Sequence, residues 1–270
     1  MASYDLHIAV TGASSGIGEA IVREYARLGA RVTMVARRRE QMEDIARSVG
    51  GRTQVIAADL GDVVHATDWL APARAAFGPI DILVNNAGVQ IVDNFAVTDV
   101  ARAEQLLLID LHTPLRLTRA VVPEMLARGS GTIVDIASLA ALAPTPGMVY
   151  YNAAKAGLAA ASESLRGELR GTGVHVVTVY PGPVETPMGR AGYAALEPTP
   201  GARSVPQGTP DVLARLVRRA VERRKARVIY PWIYTLARHL PGLTRWSLDR
   251  FSPKVVAGQT QAPAQLPPHP

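Results

Sequence analysis

The sequence predicts an α/β protein: a doubly wound parallel sheet of about seven strands in a single domain. Short apolar runs alternate with amphipathic helical patterns along most of the 270 residues. The runs are apolar at every position rather than at every second one. Strands of that kind are buried on both faces, as in a parallel sheet covered by crossover helices. No linker divides the alternation.

The elements follow in order. Leu6–Val10 is a strand that ends in a glycine-rich turn, and a helical pattern runs from Gly16 to Leu28. Arg31–Ala36 is β-branched and apolar, Arg39–Val49 reads as helix, Gln54–Ala58 as strand and Val63–Phe77 as helix. Further strands are expected at Ile80–Val84, Thr132–Ala137, Val174–Tyr180 and Arg227–Tyr230. Helices are expected at Val100–Arg128, Tyr151–Arg170 and Pro210–Lys225, the last opened by Thr209 as N-cap and Pro210 at the first helical position. Residues 181–210 are rich in proline and glycine and predict a long substrate loop. These boundaries give a core domain over residues 1–231, a basic and aromatic extension over 232–257, and a Gln/Pro/Ala-rich tail over 258–270 that reads as disordered.

At 48% hydrophobic and 19% charged residues, the composition is that of a globular domain rather than a disordered chain or coiled coil. No run reaches the ~18 apolar residues that a membrane-spanning helix needs. The start lacks a basic segment before an apolar one, so no cleaved signal peptide is expected. With no cysteine, disulfides, thiolate chemistry and cysteine-based metal sites are excluded, and a cytoplasmic setting is expected. The net charge of +6 is confined to one end: residues 196–270 hold 12 Lys or Arg against 4 Asp or Glu, and the rest 17 against 19. The larger part of the chain therefore offers phosphates no basic surface, and no nucleic-acid partner is expected. Lys155 is one of three lysines among 29 basic residues.

After the first strand comes Thr11-Gly12-Ala13-Ser14-Ser15-Gly16-Ile17-Gly18, three glycines leading into a helix. Such a turn lets the backbone approach a pyrophosphate, whose charge then rests on the free N–H groups of the helix N-terminus. Where a protein that binds NAD usually places an acid for the adenosine ribose, this chain has Ala36, followed by Arg37-Arg38-Arg39. Losing the acid and gaining a guanidinium suits a 2′-phosphate, so the expected cofactor is NADP(H), held by Arg37. Arg38 and Arg39 read as the solvated start of the next helix. Asp59-Leu60 either receives the adenine amino group or caps the following helix. Asn85-Asn86-Ala87-Gly88 ends the fourth strand, where amides and small residues would pack against the cofactor.

Tyr151 and Lys155 stand at i and i+4, one turn apart on one helix face. The ammonium should lower the phenol pKa from its ordinary ~10 toward working pH, making a useful acid or base. Ser138, just after the fifth strand, can hydrogen-bond the same substrate oxygen.

On these residues the sequence resembles the short-chain dehydrogenase/reductase family from residue 6 to about 230, with Pro181-Gly182-Pro183-Val184-Glu185-Thr186 as a further match. The resemblance implies a Rossmann-type fold. It implies that Tyr151 is the general acid/base, that Ser138 orients the carbonyl, and that Lys155 holds the nicotinamide ribose. It further implies that Thr186 and the backbone near Val184, within the Pro181-Gly182 turn, hold the carboxamide. One departure stands out: aligning Pro123 and Met125 with the family's pattern places Asp110 where an asparagine usually binds a relay water.

The function so implied is an NADPH-dependent reductase interconverting a carbonyl and a secondary alcohol. Its substrate would be apolar, with Leu139, Ala140, Leu142, Met148, Val184 and Met188 around the pocket. The expected partners are that small molecule and further copies of the chain, as a dimer or tetramer. A redox sensor that keeps the NADPH site with little turnover is the alternative. The C-terminal mixture of Trp232, Tyr234, Trp246 and Phe251 with Leu, Ile and Arg either lies on an anionic membrane or closes the pocket or an interface.

Overall fold

The computed structural model describes residues 4–196 and 206–252. Its seven strands are β1 (His7–Thr11), β2 (Arg31–Ala36), β3 (Thr53–Ala57), β4 (Ile82–Asn85), β5 (Gly131–Ile136), β6 (Val174–Pro181) and β7 (Arg227–Tyr230). They form one sheet in the order β3-β2-β1-β4-β5-β6-β7, every pair parallel. β1 and β4 are buried at every position, as their uninterrupted apolar runs require.

Residues of each strand face two cores in turn. Ile8 and Val10 of β1 join Ile21 and Tyr25 of α1 (Gly16–Ala26) on one side, with Leu213 and Val217 of α8 (Pro210–Glu222). Ala9 faces the other side with Leu83, Leu70 and Ala73 of α3 (Leu70–Phe77), and Leu117, Val121 and Met125 of α5 (Thr113–Arg128). Each buried Val, Leu, Ile or Met side chain among them contributes about 1.5–3 kcal/mol, so these two layers hold the sheet. α2 (Arg39–Val49) covers β2 and the edge strand β3 through Met42 and Ile45. The strand order reverses between β1 and β4, which opens a crevice at the carboxyl ends of these strands.

Three expected elements differ. α3 begins at Leu70 rather than Val63, because the Asp62 carboxylate accepts from the N–H groups of Val64 (3.0 Å) and His65 (3.3 Å) and closes a turn instead. The helix expected over Val100–Arg128 is interrupted: α4 (Val100–Leu107) passes into a π-helical turn at Leu108–His112 before α5. The loop expected at 181–210 contains α7 (Pro187–Ala194), capped by Thr186, whose Oγ1 accepts from Gly189 N at 3.0 Å. Residues 197–205 of that loop and the tail 258–270 lie outside the described residues.

α6 (Val149–Glu168) packs beside β5 and β6. Its Glu163 accepts from Tyr180 Oη of β6 (2.7 Å), Arg227 Nε of β7 (2.6 Å) and Arg238 Nη1 of the extension (3.0 Å). The Arg227 guanidinium, with the other donors, holds this carboxyl well below the usual carboxylate range. α8 (Pro210–Glu222) buries Leu213, Ala214, Val217 and Ala220 and pairs Arg218 with Glu24 at 2.7 Å, so it is a covering helix. Beyond β7 follow a short 3₁₀ turn, α9 (Thr235–His239) and α10 (Pro241–Phe251).

Candidate active site

The crevice is built first by glycines. Gly12 has φ +66°, and a Cβ there would lie 2.8 Å from Ala87 Cα. A side chain at Gly18 would run into the Gly12 carbonyl and the Asn86 amide. The loop is thus closed down on the end of β4, where Asn86 Nδ2 donates to Thr11 O (2.9 Å) and Gly12 O (3.2 Å). Asn85 Nδ2 ties the same strand end to Thr118 Oγ1 (3.0 Å) and Asp135 Oδ1 (2.8 Å). Ser15, the N-cap of α1, makes no side-chain capping bond, which leaves the first-turn N–H groups at Gly16, Ile17 and Gly18 open to an anion. Thr186 closes over this loop, its Cγ2 3.2 Å from where a Cβ on Gly16 would stand.

Beside the loop the arginines divide differently from expectation. Arg37 is exposed at the end of β2. Arg38, exposed as the sequence suggests, also donates to Ser14 Oγ from Nε (3.1 Å) and Nη2 (2.8 Å), and to Ser15 Oγ from Nη2 (2.7 Å), contacts that the sequence does not announce. Asp59 Oδ1 accepts from Gly61 N at 2.9 Å, and with α3 starting at Leu70 it cannot be that helix's cap. Leu60 is buried, and its carbonyl accepts from Thr113 Oγ1 at 2.7 Å.

At the other end of the crevice α6 carries Tyr151 and Lys155, both buried. Lys155 Nζ lies 5.8 Å from the Tyr151 ring centroid, donates to Ile136 O (3.1 Å) and stands 3.2 Å from Asp110 Oδ2. The π-helical turn delivers Asp110 here, fully buried, with its Oδ1 accepting from Val89 N at 2.7 Å. Gly88 keeps the pair open, since a Cβ there would fall 2.8 Å from Asp110 Oδ2 and 3.3 Å from Lys155 Nζ. Ser138 caps a 3₁₀ turn at Leu139–Ala141 by accepting from Ala140 N at 3.1 Å. Ser138, Tyr151, Lys155 and Asp110, brought from three segments, thus converge.

The electrostatics correct one expectation. Burial pushes the Tyr151 phenol above its ordinary value; Lys155 and a hydrogen bond with Ser138 pull it back, but Asp110 opposes them. The phenol therefore lies high rather than low, first because burial disfavours the phenolate and then because the Asp110 carboxylate opposes the ammonium's charge. Burial also raises the Asp110 carboxyl, against Lys155. For Lys155 desolvation acts downward, yet Asp110 and Tyr151 outweigh it, and the ammonium is held protonated. Asp110→Asn keeps an acceptor for Lys155 and removes the charge that raises Tyr151. Activity should stay within about tenfold while the alkaline limb of the pH–rate profile for reduction moves to lower pH; superimposable profiles would show that Asp110 does not couple to the titrating group.

Of the expected pocket residues, Ala140 and Met148 pack with Tyr151, together with Val89, Ile91 and Tyr150. Leu142 packs against Tyr180, and Val184 belongs to the main core, because the strand ends they adjoin are buried on both faces. Leu139 lies against the Gly182 turn, and Met188 is exposed on α7. Phe95, which no sequence pattern marks, stacks on Tyr150 at 5.5 Å.

The sequence profile of the family described as short chain dehydrogenase matches residues 6–196. The ketoacyl reductase HetN of Nostoc is 33% identical over 225 residues, 82% of this chain and 77% of that protein. A short-chain dehydrogenase from Streptomyces avermitilis superposes with a TM-score of 0.78 at 29% identity, covering 92% of this chain and 97% of that one. A Brucella melitensis 3-ketoacyl-(acyl-carrier-protein) reductase complexed with NADH gives 0.75 at 25% identity over 84% of this chain and 97% of that one. A serine dehydrogenase complexed with NADP+ gives 0.74 at 27%, over 83% and 94%.

Proposed function

The chain belongs to the short-chain dehydrogenase family, and from that premise we propose that it is an NADPH-dependent reductase of apolar ketones, reversible to the secondary alcohols. The observation that carries the reading is the cluster of buried Tyr151, Lys155 and Asp110 with half-buried Ser138 at the mouth of a crevice shaped for a dinucleotide.

The residues present fit the cofactor. The uncapped N-terminus of α1 takes the pyrophosphate, and Arg37 and Arg38 flank the place of a 2′-phosphate that Ala36, unlike an acid, does not repel. Asp59 and Leu60 would adjoin the adenine, Ala87 and Gly88 line the strand end, and Lys155 would hold the ribose. Thr186 and the backbone of Pro181, Gly182 and Val184 would hold the carboxamide. Bound NADPH supplies a hydride to the carbonyl carbon. Ser138 Oγ hydrogen-bonds the carbonyl oxygen and orients it. Tyr151 Oη gives its proton to that oxygen as negative charge develops there, and its raised pKa keeps it protonated for the purpose. Lys155, protonated beside Asp110, stabilises the phenolate left behind. The wall around the phenol is formed by Val89, Ile91, Ala140, Met148 and Tyr150, which suits an apolar substituent rather than a sugar.

The test is consumption of NADPH with a panel of apolar ketones and sugars. Turnover of the former supports the reading; tight NADPH binding without turnover of any would favour a sensor. Cofactor choice is tested separately. Ala36→Asp with Arg37→Gln should invert the preference, moving the NADPH/NADH ratio of kcat/KM by roughly a hundredfold as charge-assisted bonds to phosphate are lost. Wild-type kcat/KM with NADH equal to or above that with NADPH would overturn it.

A further inference from the structure

The segment after β7 exposes what proteins usually bury. α10 buries none of its eleven residues. Trp232, Leu236, Leu240, Leu243, Trp246 and Phe251 are 80, 60, 47, 58, 60 and 64% exposed. Leu243, Trp246 and Phe251, at i, i+3 and i+8, share one side of α10, and the rings of Trp246 and Phe251 meet edge to face at 6.0 Å. Arg250 stands among them, its guanidinium 5.7 Å from the Phe251 ring, and Arg245 lies on the same helix. Over residues 232–252 the charged residues are Arg238, Arg245 and Arg250 against Asp249, so the segment is basic.

Apolar rings need a medium other than water, and Arg250 among them, with Arg245 farther round the same helix, needs anions. The headgroup layer of an anionic bilayer offers both, acyl chains below and phosphates at the level of the guanidinium groups. A second copy offers less: a two-fold contact would bring together Arg245 and Arg250 of both copies, four positive charges against the two negative ones of Asp249. We propose that the extension formed by α9 and α10 seats this protein on an anionic lipid surface. It lies on the surface rather than through it, because no described helix is long and apolar enough to cross a membrane.

The seat is fastened to the domain. Arg238 binds Glu163 at 3.0 Å, and Tyr234 lies against the Gly182 turn, where a Cβ would be 3.0 Å from its ring. The lipid-facing surface therefore adjoins the rim of the crevice. If the reductase reading holds, a substrate dissolved in lipid has a short path to Tyr151; the binding itself does not depend on that reading.

The experiment uses the full chain and its own tryptophans. Trp69 is buried at 2% exposure, so a change in emission on binding reports on Trp232 and Trp246. Vesicles of phosphatidylglycerol or phosphatidylcholine are added at low and high salt, with co-sedimentation alongside. The expected result is a blue shift and at least about tenfold tighter binding to the anionic vesicles, weakened by salt. Leu243→Ser with Trp246→Ser and Phe251→Ser should lower that affinity roughly tenfold or more. Arg245→Gln and Arg250→Gln should each cost about fivefold on anionic vesicles only. Because α10 buries nothing, unchanged unfolding midpoints are the control for an intact domain. No binding to anionic vesicles at low salt, or binding indifferent to the triple variant, overturns the proposal. So does concentration-dependent self-association that the same triple variant abolishes, which would give the face to a second copy.

Discussion

Tyr151→Phe should lower kcat for ketone reduction by roughly 10²–10⁴-fold, the range ascribed to general acid–base catalysis, while NADPH still binds. The variant deletes one oxygen from a buried ring that packs against Ile91 and Ala154, so the fold has little to lose. Ser138 can still hydrogen-bond the carbonyl, and Lys155 remains paired with Asp110. What disappears is the proton delivered as the oxygen becomes an alkoxide. Steady-state rates with the best ketone, together with NADPH titration, decide the matter. Turnover near the wild-type value would move the acid elsewhere, with Tyr150 the first residue to test.

Lys155→Met should produce the largest loss of stability. The substitution leaves Asp110 fully buried, with the Val89 N–H on one oxygen and no cation near the other. Breaking one side of a buried ion pair costs about 3–5 kcal/mol, which for a chain of this size lowers the unfolding midpoint on the order of 10 °C. The pH dependence has a definite sign. A carboxyl whose folded pKa is raised contributes its full stability below the unfolded value of about 3.9 and loses it as pH rises through the folded value. The variant should therefore fall furthest behind wild type in mildly alkaline solution and recover on acidification, as Asp110 takes up a proton. Adding Asp110→Asn should restore most of the midpoint and flatten the pH dependence. Thermal unfolding of the three proteins across that range is the check; a deficit independent of pH would mean that Asp110 is not the charge left stranded.

What could be read from the chain alone was what depends on near neighbours. Gly12, Gly16 and Gly18 mark the turn before α1 because backbone conformation and close approach leave room for nothing else. Tyr151 and Lys155 share a face because helix geometry places i and i+4 together. The strands were legible because burial on both faces leaves an unbroken apolar run. Other features belong to distant contacts. The π-helical turn that carries Asp110 to Lys155 changes hydrogen-bond register without interrupting the apolar periodicity, so Val100–Arg128 reads as one helix. Asp62 diverts the chain before α3 through a side-chain bond that competes with the helix. Arg38 rather than Arg37 reaches the serines because the chain turns as it leaves β2, and reach after a turn is not written in spacing. The raised pKa of Tyr151 comes first from its burial and then from the charge of Asp110, neither of which a Tyr-x-x-x-Lys pattern contains.

Glu163 has a consequence for how this chain can vary. One carboxylate answers the guanidinium groups of Arg166, Arg227 and Arg238, drawn from the helix of Tyr151, from the last strand and from the exposed arm. Its depressed pKa means that this attraction is present above the ordinary carboxylate range and is lost only as pH falls through the lower folded value. A neutral residue at 163 turns the junction from a latch into a cluster of like charges, and the strain is released where the chain is held least, by letting the arm swing away from an otherwise intact domain. Residues 163, 227 and 238 are therefore bound to drift as a set: an exchange at the carboxylate is tolerable only when an arginine leaves with it.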